Sequence, residues 1–103
     1  MSSGISYTLY DPTISGTSYT FNLSIDDLSL TDEILVSFKY REIGETWIDI
    51  SDHLVTVTGT VSSDPVNLEY TTGYEYKAVI EYSYDDTPYT EETEITQFLS
   101  VSE

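Results

Sequence analysis

Apolar and polar residues alternate with a period of two along most of this chain. A β-strand directs successive side chains to opposite faces, so the alternation predicts strands that bury one face and expose the other. The residues predicted to point inward on the three clearest segments are Tyr19, Phe21, Leu23, Ile25, Ile34, Val36, Phe38, Tyr40, Tyr76, Ala78, Ile80 and Tyr82. No segment sustains the period of 3.6 residues that an amphipathic helix requires. The pattern therefore predicts an all-β protein.

Turn signals divide the alternating pattern into seven or eight short strands. These are predicted at residues 5–10, 18–25, 34–42, 46–50, 54–61, 65–69, 74–84 and 90–101. The breaks contain turn-forming residues such as the Asp11-Pro12 pair, Gly44 and the sequence Asp85-Asp86-Thr87-Pro88. Many short strands in a chain of 103 residues predict one domain, residues 1–103, folded as an antiparallel two-sheet sandwich.

The charge of the chain restricts its partners. It carries 3 basic and 19 acidic residues, a formal net charge of −16 at pH 7. Nucleic acids and anionic membranes both attract lysine and arginine, so we expect neither as a partner, and a cationic partner is favoured. The chain has no cysteine and no apolar stretch long enough to span a membrane. Residues 1–4 lack the basic and apolar regions of a signal peptide, so we expect either a chain used without secretion or a piece of a longer secreted protein.

Residues suited to catalysis are scarce. His53 is the only histidine, and no Gly-x-Ser-x-Gly motif accompanies it. The five glycines form neither a phosphate-binding loop nor a dinucleotide fingerprint. Carboxylates are numerous, but a small sandwich is a poor host for the deep pocket of a glycoside hydrolase. We therefore expect a protein that is not an enzyme and has no cofactor, with weak Ca²⁺ binding left open.

The segment 70–80, Tyr-Thr-Thr-Gly-Tyr-Glu-Tyr-Lys-Ala-Val-Ile, resembles the signature of fibronectin type III domains. In that family a leucine, a proline-glycine-threonine turn and a tyrosine lead into the sixth strand. The match places Tyr70 at the leucine, Thr72 at the proline and Tyr76 at the tyrosine. The resemblance implies that the Tyr76 hydroxyl bonds to backbone a few residues upstream and so holds the corner between two strands.

A second match lies upstream, in residues 36–41 (Val-Ser-Phe-Lys-Tyr-Arg) and 44–47 (Gly-Glu-Thr-Trp). It is similar to the family's third strand and hairpin, in which a tyrosine–arginine pair precedes a glycine and a tryptophan. The resemblance covers roughly residues 18–101 and implies structural roles for Trp47 and for Phe21, which replaces the usual tryptophan of the second strand. The turn proline is missing and the stretch 51–64 is long, so a related immunoglobulin-like sandwich remains an alternative.

Acidic residues concentrate in two predicted loops. Four follow the second strand and two precede the last one: Asp26, Asp27, Asp32, Glu33, Asp85 and Asp86. In sandwiches of this topology both loops lie at the same end, so we predict an acidic binding tip flanked by Tyr84 and Tyr89. One hypothesis is a weak Ca²⁺ site formed by two aspartates from each loop, Asp26, Asp27, Asp85 and Asp86. The other hypothesis is a solvated acidic tip.

All three cations, Lys39, Arg41 and Lys77, fall at outward positions of two strands that are predicted to be neighbours. They are expected to face acids of the same sheet, such as Glu81, Glu92 or Glu94. This arrangement predicts either cross-strand ion pairs or a mixed-charge face that docks a partner.

These observations predict a non-catalytic structural or binding module of a larger surface assembly, such as an adhesin, on a cell surface or outside the cell. The alternative is a stand-alone small protein that decorates a virus particle, and a third candidate is a carbohydrate-binding module, which needs an exposed aromatic platform. The partner is expected to be a protein, and exposed edge strands would also permit self-association. The glycosylation sequon Asn22-Leu23-Ser24 matters only if the chain is secreted.

Overall fold

The computed structural model describes residues 5–28 and 33–102. Within these ranges the prediction of an all-β protein is confirmed, and no helix is present that could cross a membrane. The strands are β1 (Ile5–Leu9), β2 (Thr13–Ser15), β3 (Ser18–Thr20), β4 (Asn22–Leu28), β5 (Ile34–Glu42), β6 (Ile48–Val55), β7 (Gly59–Ser62), β8 (Val66–Asn67), β9 (Gly73–Tyr84), β10 (Thr87–Glu92) and β11 (Thr96–Leu99).

The strands pair antiparallel in three sheets that form two layers. The first layer consists of the sheet β1–β4–β7 and its continuation, the sheet β2–β3–β8. The second layer has the order β10–β9–β5–β6. Strand β11 pairs with the beginning of β9, on the same edge as β10 and in line with it. The two small sheets are continuous because only Phe21 separates β3 from β4 and only residues 63–65 separate β7 from β8.

Interruptions in the long strands occur where a side-chain hydroxyl enters the backbone ladder. At the break between β3 and β4, the Phe21 N–H donates to the Ser63 hydroxyl over 2.9 Å. At the break between β10 and β11, the Ala78 N–H donates to the Thr93 hydroxyl over 3.0 Å. Hydroxyl groups compete in this way with regular backbone pairing. The second and last predicted strands are therefore each divided in two, which alternation does not reveal.

Other strand boundaries test the sequence pattern further. Strand β5 has the predicted bounds, and β9 begins one residue before the predicted strand. The prediction of a single strand at 54–61 was wrong, since β6 continues to Val55 and β7 begins at Gly59. Gly59 has a φ of 141°, a conformation that favours glycine, and it lies where the chain crosses from one layer to the other.

One hydrophobic cluster fills the space between the two layers. Its members that are at most 1% exposed are Tyr19, Phe21, Leu23, Ile25, Ile34, Val36, Phe38, Tyr76, Ala78 and Ile80. They come from the β3–β4 segment on one side and from β5 and β9 on the other, so the predicted inward faces are confirmed. Ser37 departs from the pattern, because it was predicted to point outward but is buried and donates to the Asp52 carboxylate over 2.8 Å.

Phe21 is the centre of an aromatic cluster in this core. Its ring stacks on Tyr76 with 4.7 Å between centroids and lies 6.3 Å from the rings of Tyr40 and Phe98. Aromatic pairs at these separations add to the stabilisation that burial of apolar area provides. Phe21 therefore links the two layers directly.

The assignment of the corner bond to Tyr76 was wrong. The Tyr76 hydroxyl donates to the Tyr10 carbonyl over 2.9 Å, a residue far upstream in the chain. The local bond is made by Tyr74, whose hydroxyl accepts the Glu69 N–H over 3.0 Å. Both tyrosines are buried on the inward face of β9, so a shift of two residues leaves the alternation unchanged.

Replacing Tyr74 with phenylalanine removes only the hydroxyl that accepts the Glu69 N–H. We expect Tyr74→Phe to lower the free energy of unfolding by about 1 kcal/mol, the usual net contribution of one hydrogen bond. Tyr84→Phe is the matched control, because Tyr84 is exposed and its change should stay within about 0.5 kcal/mol. Urea unfolding followed by tryptophan fluorescence measures both variants. Equal stability of the two variants would contradict the corner assignment.

Candidate functional site

A cleft opens at the end of the second layer where the predicted acidic tip lies. The register of β5 and β9 sets Leu35 opposite Glu81, so Glu33, just before β5, lies near the end of β9. The cleft has a volume of about 650 Å³. Its lining brings Glu33 together with Ser83 and Tyr89 of the β9–β10 hairpin, so these two predicted regions do meet. Asp32 lies outside the described residues.

The cleft lies on the outer face of the second layer, and its wall is as polar as it is apolar. The side chains that face it are the apolar Leu35, Leu54 and Pro88 and the polar Glu33, Glu81, Ser83 and Thr90, whereas Ile34, Tyr82 and Tyr89 direct their side chains to the inner face. Leu54 lies opposite Leu35 on the edge strand β6 and is 64% exposed. Sequence reasoning missed Leu35 and Leu54, although the adjacent register of β5 and β6 places two leucines side by side on the outer face.

The hairpin beside the cleft has a two-residue turn. Asp85 and Asp86 adopt φ values of 52° and 61°, and the flanking residues Tyr84 and Thr87 pair with each other. A turn with two left-handed residues matches the twist of the strands that it joins, and aspartate tolerates this conformation better than most residues. Tyr84 is exposed at the base of the turn, so the turn displays a tyrosine beside two carboxylates.

Tyr89 anchors the β9–β10 hairpin from the inner face of the second layer. Its ring stacks on Tyr82 at 5.4 Å between centroids. The Tyr82 hydroxyl donates to one oxygen of Glu91 over 2.6 Å, and the Tyr7 hydroxyl donates to the other over 3.0 Å. Because Tyr7 belongs to β1 and Glu91 to β10, this carboxylate links the two layers. Sequence reasoning missed Glu91, whose only signal is a charge at an inward position of a strand.

Burial changes the ionisation of the tyrosine next to this link. Burial and the hydrogen bond to Glu91 raise the pKa of Tyr7 to about 12, and burial likewise raises the pKa of Tyr76 to about 12. Tyr7 therefore remains a hydrogen-bond donor to Glu91 at neutral pH.

The aspartates predicted to join the acidic tip from the second strand lie elsewhere. Asp26 and Asp27 belong to β4 and not to the loop that follows it, because β1 continues the pairing as far as Leu28. The Asp26 carboxylate accepts hydroxyl hydrogen bonds from Thr8 over 2.9 Å and from Ser24 over 2.7 Å. These bonds hold it on the outer face of the first layer, whereas Asp85 and Asp86 belong to the second layer.

The predicted Ca²⁺ ligands are thus divided between two layers. Within residues 5–28 and 33–102, no group of three or more histidine, cysteine or acidic side chains is placed to hold a metal ion. The Ca²⁺ site and the solvated acidic tip both stay predictions.

Ion pairs occupy the outer face of the second layer. Lys39 pairs with Asp49, Arg41 pairs with Glu75 at 2.5 Å, and Lys77 pairs with Glu92 at 2.6 Å. Glu92 was a predicted partner, but Glu81 and Glu94 do not appear in these pairs. Asp49 and Glu75 replace them because the strand register sets each of these acids opposite its cation. The hydrogen bond from Arg41 holds the pKa of Glu75 below its ordinary value.

Trp47 lies over this charged face and not in the core cluster. The Arg41 guanidinium lies 4.3 Å from the centroid of the indole ring, and the Lys77 ammonium lies 4.6 Å from it. Cations at this separation are attracted to the aromatic ring. The indole ring is therefore engaged by the protein's own cations, unlike the open aromatic platform that a carbohydrate-binding module needs.

Two further residues singled out in the sequence make ordinary structural contacts. The Asn22 amide nitrogen donates to the Thr13 hydroxyl over 3.0 Å, and its oxygen accepts the Ser62 hydroxyl over 2.7 Å. His53 lies 2.9 Å from the Ser51 hydroxyl, and its ring packs edge-on against Phe38 at 6.1 Å. Both side chains contribute to the fold through these contacts.

A comparison of the sequence with known protein families finds no match, and a search of curated proteins also finds none.

Stability should decrease in alkaline solution because of Tyr7, which is partly buried, and Tyr76, which is buried. Their pKa is raised from the ordinary 10 to about 12, so between these pH values they ionise in the unfolded chain but not in the folded protein. Their contribution is complete below pH 10 and is lost as the pH rises toward 12. Urea unfolding across this pH range should show that the free energy of unfolding falls less steeply with pH for Tyr7→Phe than for the exposed control Tyr84→Phe. Equal slopes for the two variants would contradict this account.

Calcium should have little effect on stability. Because Asp26 is bonded to hydroxyls of its own layer, we expect the same melting temperature in millimolar CaCl₂ and in NaCl of equal ionic strength. Equal ionic strength matters here, since added salt screens the repulsion within a chain of net charge −16. A higher melting temperature in CaCl₂, abolished by Asp85→Asn, would restore the calcium hypothesis.

Proposed function

We propose that this chain is a fibronectin type III domain in its detailed topology. If β1–β2, β3–β4, β7–β8 and β10–β11 are each counted as one interrupted strand, the two layers contain seven strands. The fourth of these, β6, pairs with the third, β5. In the constant-type immunoglobulin order the fourth strand belongs to the opposite sheet. The pairing of β6 therefore favours the fibronectin type III arrangement over that alternative.

The corner before β9 supports the same proposal once the match is shifted by two residues. In the shifted match Leu68 takes the leucine position, Thr71 takes the glycine position of the turn and Tyr74 takes the tyrosine position. Leu68 is buried, and Thr71 has a φ of 50°, the left-handed conformation for which glycine is favoured. Tyr74 makes the corner hydrogen bond to Glu69.

We further propose that the domain is a non-catalytic structural and protein-binding module of a larger surface assembly. The path of the chain carries this proposal. Strand β1 begins beside Leu28 at the cleft end, whereas β11 ends beside Gly73 at the opposite end. The protein measures 49 × 25 × 22 Å. The 12 residues of β9 extend over about 40 Å, so the strands run along the long axis.

A chain that enters at one end and leaves at the other suits a spacer in a row of domains. Neighbouring modules could then be joined through their ends while the cleft and the outer sheet faces remain accessible. The two functional alternatives differ in what the domain is attached to, a longer polypeptide or a virus particle.

The test is the size and location of the native polypeptide in fractionated cells, determined by immunoblot with an antibody against the domain. We expect a band much larger than 11.6 kDa in an envelope or secreted fraction, because a spacer module belongs to a longer chain. A band of 11.6 kDa that sediments with virus particles would support the decoration-protein alternative instead. A band of that size in a soluble fraction, free of any assembly, would contradict both proposals.

A further inference from the structure

We infer that the cleft between the start of β5 and the β9–β10 hairpin binds a basic segment of a partner protein that presents an apolar side chain between lysine or arginine residues. This inference rests on the proposed binding function and identifies the chemical class of its partner.

The apolar part of the surface is formed by the side chains of Leu35 and Leu54, with Pro88 across the cleft. Leu54 is 64% exposed. A single exposed leucine is common, but here two leucines lie in register on one face of the sheet with a proline across the cleft. An apolar side chain of a partner would remove this area from water.

The charge of the surroundings selects a cationic partner. Glu33 and Glu81 line the cleft, the Asp85–Asp86 turn adjoins it, and no lysine or arginine is among its lining residues. The three cations of the protein are engaged in ion pairs along the outer face of the second layer. The protein's net charge of −16 extends the negative potential beyond the cleft, which accelerates the approach of a basic partner.

The same charge argues against a second copy of this chain as the occupant. Two molecules of net charge −16 repel each other, and their clefts would bring Glu33 and Glu81 of both copies together. A segment of opposite charge gains the apolar contact without this repulsion.

The hairpin that forms one side of the cleft is anchored through its inner face before any partner arrives. Tyr89 stacks on Tyr82, whose hydroxyl is bonded to Glu91, and Glu91 is bonded in turn to Tyr7 of the other layer. A surface that is already ordered loses less conformational entropy on binding. This side of the cleft is therefore ordered before a partner binds.

The experiment is a titration of the ¹⁵N-labelled protein with a short acetylated and amidated peptide, observed by two-dimensional NMR. The probe has a central leucine–tyrosine pair between lysines. One control peptide replaces the central pair with serines, and the other replaces the lysines with glutamates. We expect saturable binding with Kd below about 1 mM, and amide shifts that centre on Leu35, Leu54, Glu81 and Tyr89. The Kd of each control peptide should be at least tenfold higher than that of the probe. A tenfold change in Kd corresponds to about the free energy that one buried side chain contributes to binding.

Variants separate the apolar and charged contributions. Leu54→Ser should raise the Kd of the probe about tenfold, and Glu81→Gln should raise it about two- to fivefold. The second effect is smaller because an exposed charge pair contributes less to binding than a buried aliphatic side chain. Leu99→Ser and Glu94→Gln are the matched controls, because both residues are exposed outside the cleft and should leave Kd unchanged. Raising the salt concentration should weaken binding to the unchanged protein more than to Glu81→Gln.

Absence of saturable binding, shifts centred on another face, or equal effects of Leu54→Ser and Leu99→Ser would overturn the inference. Binding of the lysine–serine control as strongly as the probe would also overturn it, because charge alone would then explain the interaction. These outcomes are separate from those of the immunoblot, which reports whether the domain belongs to a larger assembly whatever occupies the cleft.

Discussion

The contact between Phe21 and Tyr76 is the interaction on which the two layers depend. Phe21 belongs to the first layer and Tyr76 to the second, and their rings stack at 4.7 Å in the middle of the core. Tyr76 also donates its hydroxyl to the Tyr10 carbonyl, so one side chain joins the core to the connection between β1 and β2. The backbone N–H of Phe21 donates a hydrogen bond to the Ser63 hydroxyl at the break between β3 and β4. Packing and backbone pairing therefore meet at the same residue.

Charge is distributed unevenly over this scaffold, and the basic partner inferred for the cleft follows from that distribution. The three cations are paired along one sheet face, where two of them also contact Trp47. The end of the protein that carries the cleft has Glu33, Glu81 and the Asp85–Asp86 turn with no cation among the lining residues. The cations of the protein thus lie on one face, and none of them lies in the cleft lining. The acidic composition becomes a specific surface only through this separation.

The success and failure of the sequence predictions have a common physical origin. Alternation reports which face of a strand is buried, so it predicted the inward residues of β5 and β9 and the bounds of β5. It does not report a shift of two residues, which is why Tyr76 was taken for the corner residue in place of Tyr74. It also does not report hydroxyls that replace a carbonyl in the ladder, as Ser63 and Thr93 do.

The sequence by itself determined the all-β class, the buried faces and the acidic character, because these depend on local periodicity and on composition. Only the tertiary structure decided the register in which neighbouring strands pair, and that register creates the cleft. Leu35 and Leu54 are 19 positions apart in the sequence yet lie opposite each other on neighbouring strands. The Glu91 carboxylate accepts a hydrogen bond from the hydroxyl of Tyr7 in the first strand. Asp26, close in sequence to the predicted tip, is held on the other layer by Thr8 and Ser24. Long-range register decides such contacts, and register is set by the packing of the whole core.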